Sequence, residues 1–191
     1  MSKIVWLVVS LIFSANAAAK WTYAEKKDEM RGTSSASAYV VSLNAANFKF
    51  PYNGGSRLLL ALNKNEAKEG KSVCGYKKCT AAAIMIPKGQ FECQSMYEKG
   101  TGQDVCYISA KFDDGQVEKY VVNVTEGSCW LRHSDNLRFL EKLMSAKKVI
   151  VEAGFFREAP KQFKFDISGL KWEEDRSSGV LPGYGQPESV W

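Results

Sequence analysis

Apolar and polar positions alternate along most of this chain, so strands dominate the expected structure. Trp21 and Tyr23 alternate as strand residues do, and the charged run after them reads as a solvated face. Gly32 to Ser37 reads as a polar turn. From Ala38 to Ala45, Tyr39, Val41 and Leu43 fall on one side and Val40, Ser42 and Asn44 on the other. Pro51 forces an extended residue before it and ends strand pairing. Asn53-Gly54-Gly55 reads as a turn, Leu58 to Leu62 as a short buried strand, Lys64 to Lys71 as a polar loop and Thr80 to Ile86 as the next strand.

Two successive hairpins are then expected. Ile84 to Ile86 enters the first, Pro87-Lys88-Gly89 turns, and Phe91-Glu92-Cys93 leaves. A polar loop, Gln94 to Asp104, leads to the second, in which Val105 to Phe112 and Gln116 to Val124 flank Asp114-Gly115. Both central residues of that turn are expected at positive φ.

After Val124 the period changes. Ser134-Asp135-Asn136 offers an N-cap, and Leu137, Leu140, Leu143 and Met144 recur at helical spacing with Phe139, up to Ala146. The stripe is expected to face the core. Val149 to Ala153 returns to a strand, continued by Phe155-Phe156. Ala159-Pro160-Lys161 is expected to turn, Phe163 to Ile167 to form a strand, and Gly169 to Trp172 to close the domain.

Many short strands and one late helix predict a mainly β fold, an antiparallel β-sandwich or barrel-like sheet with one late α-helix. Trp21, Phe48, Phe50, Phe91, Phe112, Phe163, Phe165 and Trp172 are expected to supply much of its core. The expected organisation is a signal peptide over residues 1–19, a single β-rich domain over 20–172 and a flexible C-terminal tail over 173–191, where Ser, Gly and Pro dominate.

The first segment places the chain in the envelope. Lys3 supplies a positive start, Ile4 to Phe13 an apolar stretch short for a bilayer, and Ala15-Asn16-Ala17 or Ala17-Ala18-Ala19 a small-residue cleavage site. Periplasmic or secreted localisation is expected, with no integral membrane segment after cleavage. Losing Lys3 lowers the formal net charge only from +5 to +4. The lysines are scattered and interleaved with acids, which argues against nucleic acid as a partner.

Export makes disulfides the default for the five Cys. Cys93 and Cys106 sit at matching places on neighbouring expected strands and are the favoured pair. Cys74 and Cys79 flank a turn-like Gly75-Tyr76-Lys77-Lys78 and would close a small loop, leaving Cys129 free and buried. A single His and no C-x-x-C give no zinc set, so neither a metal nor a cofactor is expected.

Catalytic motifs are weak. His133 with Ser128 or Ser134 and Asp135 is proximity in sequence, and no G-x-S-x-G elbow is present. Asp113-Asp114 reads as turn chemistry rather than paired carboxylates. Gly100, Gly102 and Gly115 form no phosphate loop. Asn123-Val124-Thr125 has the form of an N-glycan acceptor but lies in an expected strand. No catalytic residue is assigned, and the protein is not expected to be an enzyme.

KGQFEC, a second Cys, KFDDG, a helix ending LMSAKK and then VIVEAGFFREAPKQFKFDISGLKW resemble a group of uncharacterised exported bacterial proteins over Trp21 to Trp172. The upstream W-x-Y, D-x-M-x-G and F-x-F-P-Y-x-G-G fit as well. More distantly, the layout resembles the type VI secretion-associated accessory proteins TagO and VasI. The resemblance implies pairing of Cys93 with Cys106 and gives no active-site residue to carry over.

The expected function is that of an exported, non-enzymatic binding or accessory protein acting through contacts with an envelope or secretion-machine protein. An inhibitor of cell-wall lytic enzymes and an envelope hydrolase are the alternatives. The first expectation is directly measurable. Intact mass of the exported protein should show a start near Ala18 to Lys20. A full-length species retaining Met1 in the membrane fraction would overturn it.

Overall fold

The computed structural model describes residues 20–30, 32–66, 78–100 and 102–172. Twelve strands and one helix are found among them: β1 (Thr22–Asp28), β2 (Thr33–Val41), β3 (Ala46–Phe48), β4 (Gly54–Ser56), β5 (Leu59–Glu66), β6 (Lys78–Met85), β7 (Gln94–Glu98), β8 (Gln103–Phe112), β9 (Val117–Val124), β10 (Ser128–Leu131), α1 (His133–Ser145), β11 (Lys148–Phe155) and β12 (Glu158–Asp166). The fold is mainly antiparallel β with a single helix, as the alternation predicts. Ten strands form one sheet in the order β1-β2-β5-β6-β10-β9-β8-β11-β12, with β7 also paired to β8, and β3-β4 form a separate hairpin. The sheet does not close into a barrel.

The side chains of Val40, Leu60, Leu62 and Ile84 from one half of the sheet share a core with Ile108, Val149, Val151, Phe163 and Phe165 from the other. Helix α1 adds Phe139, Leu140 and Leu143 to it. Phe48, Phe91, Phe155 and Phe163 form one ring chain, with centroids 5.0 to 5.9 Å apart. Phe112, Tyr120 and Phe139 form a second, edge to face.

Several sequence expectations change. The first hairpin does not form: β6 pairs with β5 and β10, and Phe91 instead bridges to Phe155. Strand β7 occupies the stretch expected as a polar loop, because β8 extends back to Gln103 and takes it as a partner. Strand β2 begins at Thr33, inside the expected turn, and β5 runs to Glu66, inside the expected loop. These polar ends pair with each other from Ser34↔Glu66 to Ser37↔Asn63. The chain turns at Phe156-Arg157, not at Ala159 to Lys161, and Arg157 takes φ 56°. Pro160 then lies within β12 at the register shift opposite Gly154, where no ladder N–H is required. Gly154 is obligatory there: a Cβ would stand 2.8 Å from the Glu92 carbonyl oxygen. The β8-β9 hairpin forms, but positive φ falls on Asp113 (45°), not on Asp114-Gly115. Phe50, expected in the core, is 81% exposed.

The disulfide between Cys93 and Cys106 is present, with Cα atoms 5.0 Å apart. It is diagonal: Cys106 sits opposite Ser95, and Cys93 lies just before β7. The sequence separation of 13 gives a chain-entropy stabilisation of about 3 kcal/mol. That is a large share of an ordinary net stability of about 5–15 kcal/mol. Cys129 is free and buried, as expected. Cys74 lies outside the described residues, as does the side chain of Cys79, and so do residues 1–19 and 173–191.

Helix α1 is seated where β10 ends. Strand β10 lies between β6 and β9 only as far as Leu131. Beyond it, the Asn136 amide donates to the Thr80 carbonyl oxygen (2.7 Å) and accepts from the Ala82 N–H (2.8 Å). On the other side, Asp135 accepts from the Val121 N–H (2.6 Å). Neither residue caps the helix as the sequence suggested, since the N-cap is Arg132 without a side-chain bond. The buried stripe is accordingly Asn136, Phe139, Leu140 and Leu143, while Leu137 and Met144 are about 40% exposed.

Replacing Asn136 by Ala leaves a buried donor and a buried acceptor unpaired, each costing about 1–3 kcal/mol. The expected result is a melting temperature lower by roughly 5–15 °C, with the fold retained by far-ultraviolet circular dichroism. A shift below about 2 °C would show that the amide does not seat the helix.

Candidate functional site

Two of the candidate carboxylates, Asp113 and Asp135, are engaged in holding backbone. Asp135 spends one oxygen on Val121 and the other on Arg138 (2.7 Å). The Ser128 hydroxyl shares a 2.8 Å bond with Thr125. The side chain of His133 lies outside the described residues. Asp113 accepts from the Lys147 and Lys148 N–H groups and fixes the link from α1 to β11. Asp114 beside it is exposed, and Asn123 is an exposed strand residue. Among the described residues, no three His, Cys, Asp or Glu side chains gather as metal ligands. No described helix is long and apolar enough to cross a membrane.

Burial sets the chemistry of the free thiol: it pushes Cys129 up to about 12. The thiol stays protonated and unreactive in the fold, and the buried neutral form becomes a liability as pH rises from about 9 towards 12, where the unfolded chain ionises. Glu118 meets Lys142 on α1. That bond, with help from Tyr120 and Arg138, holds the carboxyl below its usual range. Its contribution is therefore present above the ordinary carboxylate pKa and lost as pH falls through the lowered one. These groups fasten the helix to β9.

The outer face of the sheet is different. On β2, Ala38 and Val40 point into the core and are nearly inaccessible, as is Ser42 just after the strand. Tyr39 and Val41 point outward, with Val41 39% exposed, while Leu43 lies past the end of the strand, where its N–H donates to the Lys164 carbonyl oxygen on β12. The more apolar side of this alternation thus faces solvent. Register carries the pattern across four strands. Tyr39 sits opposite Ala61, Ala61 opposite Ala83, and Ala83 opposite Trp130. The next row runs Val41, Leu59, Met85, Ser128. Ala61 and Ala83 are buried yet lie outside the core cluster, in one row with the half-buried Tyr39 and Trp130. At strand spacings of about 4.8 Å, Tyr39 and Trp130 stand about 14 Å apart.

Val41, Leu59 and Met85 thus give this face a short apolar row, of which Val41 and Met85 are exposed. The sequence already showed the alternation of Tyr39, Val41 and Leu43, but not which side turns inward. Leu59, Met85 and Trp130 join them only through the register. No family model matches the chain, and neither a curated protein nor a solved structure matches it.

The facing of the strands is testable by stability. A Val41→Ser, Met85→Ser double variant should melt within about 2 °C of the parent, since both positions are surface sites. Ile84→Ser, one residue away on the inner side, should cost at least roughly 3 kcal/mol through the lost burial and the hydroxyl placed in the core. Equal costs for the two variants would overturn the assignment of faces.

Proposed function

We propose that this is an exported, periplasmic, non-enzymatic accessory protein that works by holding a protein of the envelope or of a secretion machine against its outer sheet face. The observation that carries this reading is the outward apolar row Val41, Leu59 and Met85 across β2, β5 and β6, with Val41 and Met85 exposed beside the row of Tyr39. Export is supported by the Lys3, Ile4–Phe13, Ala-x-Ala arrangement. It is supported also by the Cys93–Cys106 bridge, because Cys93 is exposed and a solvent-facing disulfide persists in an oxidising compartment. The resemblance to TagO and VasI points to a secretion-associated partner.

A photo-reactive residue placed at position 85 in the exported protein tests this. Irradiation should give an adduct with one envelope protein, lost when Val41→Asp is added. The same probe at position 144 should give none, because Met144 has similar exposure on the helix, which packs against the inner face. Equal adducts from both positions, or none from position 85, would remove the reading. Inhibition of a lysozyme by the purified protein would replace it with the inhibitor reading, and cleavage of cell-wall material with the hydrolase reading.

A further inference from the structure

At the end of β6 the chain leaves the apolar face through Ile86 and Pro87 and enters a group of three loops tied to one another. The tip of the β3-β4 hairpin, residues 49–53, carries Phe50 before a cis Pro51. Tyr52 donates to the Gln90 side chain (2.8 Å), and Lys88 donates to the Asn53 carbonyl oxygen (2.5 Å). Gln90 in turn accepts from the Phe156 N–H (3.0 Å) in the β11-β12 turn. Glu158, just beyond that turn, accepts from the Lys49 N–H (2.7 Å) and pairs with Lys161 (3.2 Å). The tip is therefore held at three points, by Lys88, Gln90 and Glu158, and Phe50 stands 81% exposed on it.

The loops around Phe50 carry more exposed cations than carboxylates, Glu92 being the exposed acid on them. Lys49, Lys88 and Arg157 are all exposed, while the carboxylate among them, Glu158, is turned into the hydrogen bonds just described, with its side chain only 10% exposed. Arg157 is kept in place by φ 56° and by stacking over the Phe156 ring, 4.9 Å from its centroid. An exposed aromatic on a loop tip with three exposed cations on the tip and the loops tied to it, two of them held in place, is an arrangement that suits an apolar pocket with an acidic rim.

We infer that this loop pole is a binding site for an acidic protein surface, with Phe50 as the anchor and Lys49, Lys88 and Arg157 pairing with carboxylates on the partner. The inference deepens the functional reading above and rests on it: Met85 and Lys88 are separated by only two residues, so one partner spans the apolar face and the cationic pole. An anionic lipid surface fits less well. Lipid recognition by charge uses clusters of roughly four to eight mobile cations, whereas here there are three exposed ones, two of them tied down.

The test uses the mature full-length chain and a soluble peptide of Leu-Asp-Glu repeats, read by amide chemical shifts and titration calorimetry. The peptide should shift the amides of residues 49–53, 88–90 and 156–158, and binding should weaken several-fold as salt rises from about 50 to about 300 mM. Phe50→Ala should weaken it about tenfold with an unchanged melt, since an exposed side chain adds little to stability. Lys88→Glu with Arg157→Glu should abolish it, while Lys111→Glu on β8 should not. Should the double reversal fail to fold, Lys88→Gln with Arg157→Gln keeps the tied loops neutral and should still lose most of the affinity.

Three results would overturn the inference: no shifts at the pole, equal binding of a Leu-Lys-Lys repeat peptide, or stronger shifts of the same amides by phosphatidylglycerol vesicles. An adduct from position 85 with the pole silent would remove this inference and leave the functional reading intact. Loss of that adduct together with binding at the pole would do the reverse.

Discussion

The hydrogen bonds from the Asn136 amide to Thr80 and Ala82 hold this structure's helix to its sheet. Strand β10 is four residues long and separates β6 from β9 over only part of their length. Past Leu131 both neighbours would present bare backbone groups to the core, and each bare buried group is costly. A primary amide has the donor and acceptor of a peptide unit, so Asn136 continues the ladder on β6 for one more step. Asp135 does the same for the Val121 N–H on β9. With its first turn fixed in this way, α1 has Phe139 placed against Phe112 and Tyr120 and its basic Arg138 and Lys142 placed over Glu118.

The same device recurs wherever the ladder stops. Asn44 donates to the Gln162 carbonyl oxygen and accepts from the Lys164 N–H, and so joins the chain after β2 to the outer edge of β12. Asp113 gathers two N–H groups at the start of β11, and Glu158 takes that of Lys49. The sheet thereby gains the mutual support of its two ends without closing into a barrel. Its irregular loops are held by single polar side chains and by the Cys93–Cys106 bridge, each of which fixes one crossing of the chain. This is why the loop pole can present Phe50 to solvent in a set position.

Sequence periodicity carried the β-rich class, the late helix, the β8-β9 hairpin and the favoured disulfide. It failed where pairing, not burial, makes a strand. Thr33 to Ser37 and Asn63 to Glu66 have little apolar alternation, yet each completes the other's hydrogen bonds. Gln94 to Glu98 reads as a loop until β8 offers it an edge. Strand β10, SCWL, is too short for any period to show. Asn136 looked like a cap because its partners lie 54 and 56 residues away, a distance no local signal spans. Phe50 was expected inside on hydrophobicity alone, but the proline after it and the turn at Asn53 lift it out of the ring chain that Phe48 joins.

The orientation of β2 is the feature with most to say about function. Alternation with period two defines two faces and is silent on which of them is buried. For an isolated hairpin, Tyr39, Val41 and Leu43 would bury more apolar surface than Ala38, Val40 and Ser42. The register overrules that preference. Val40 pairs with Leu60 and Leu60 with Ile84, and all three are needed inside opposite Phe163 and Phe165. Ser42 is tolerated there because its hydroxyl accepts from the Leu58 N–H and donates to the Asn44 carbonyl oxygen. A serine would serve no worse with a polar residue in place of Val41, so the inner packing of β2 does not require Val41 to be apolar. Its side is set by the register alone: with Val40, Leu60 and Ile84 turned inward, Val41, Leu59 and Met85 must take the outer face.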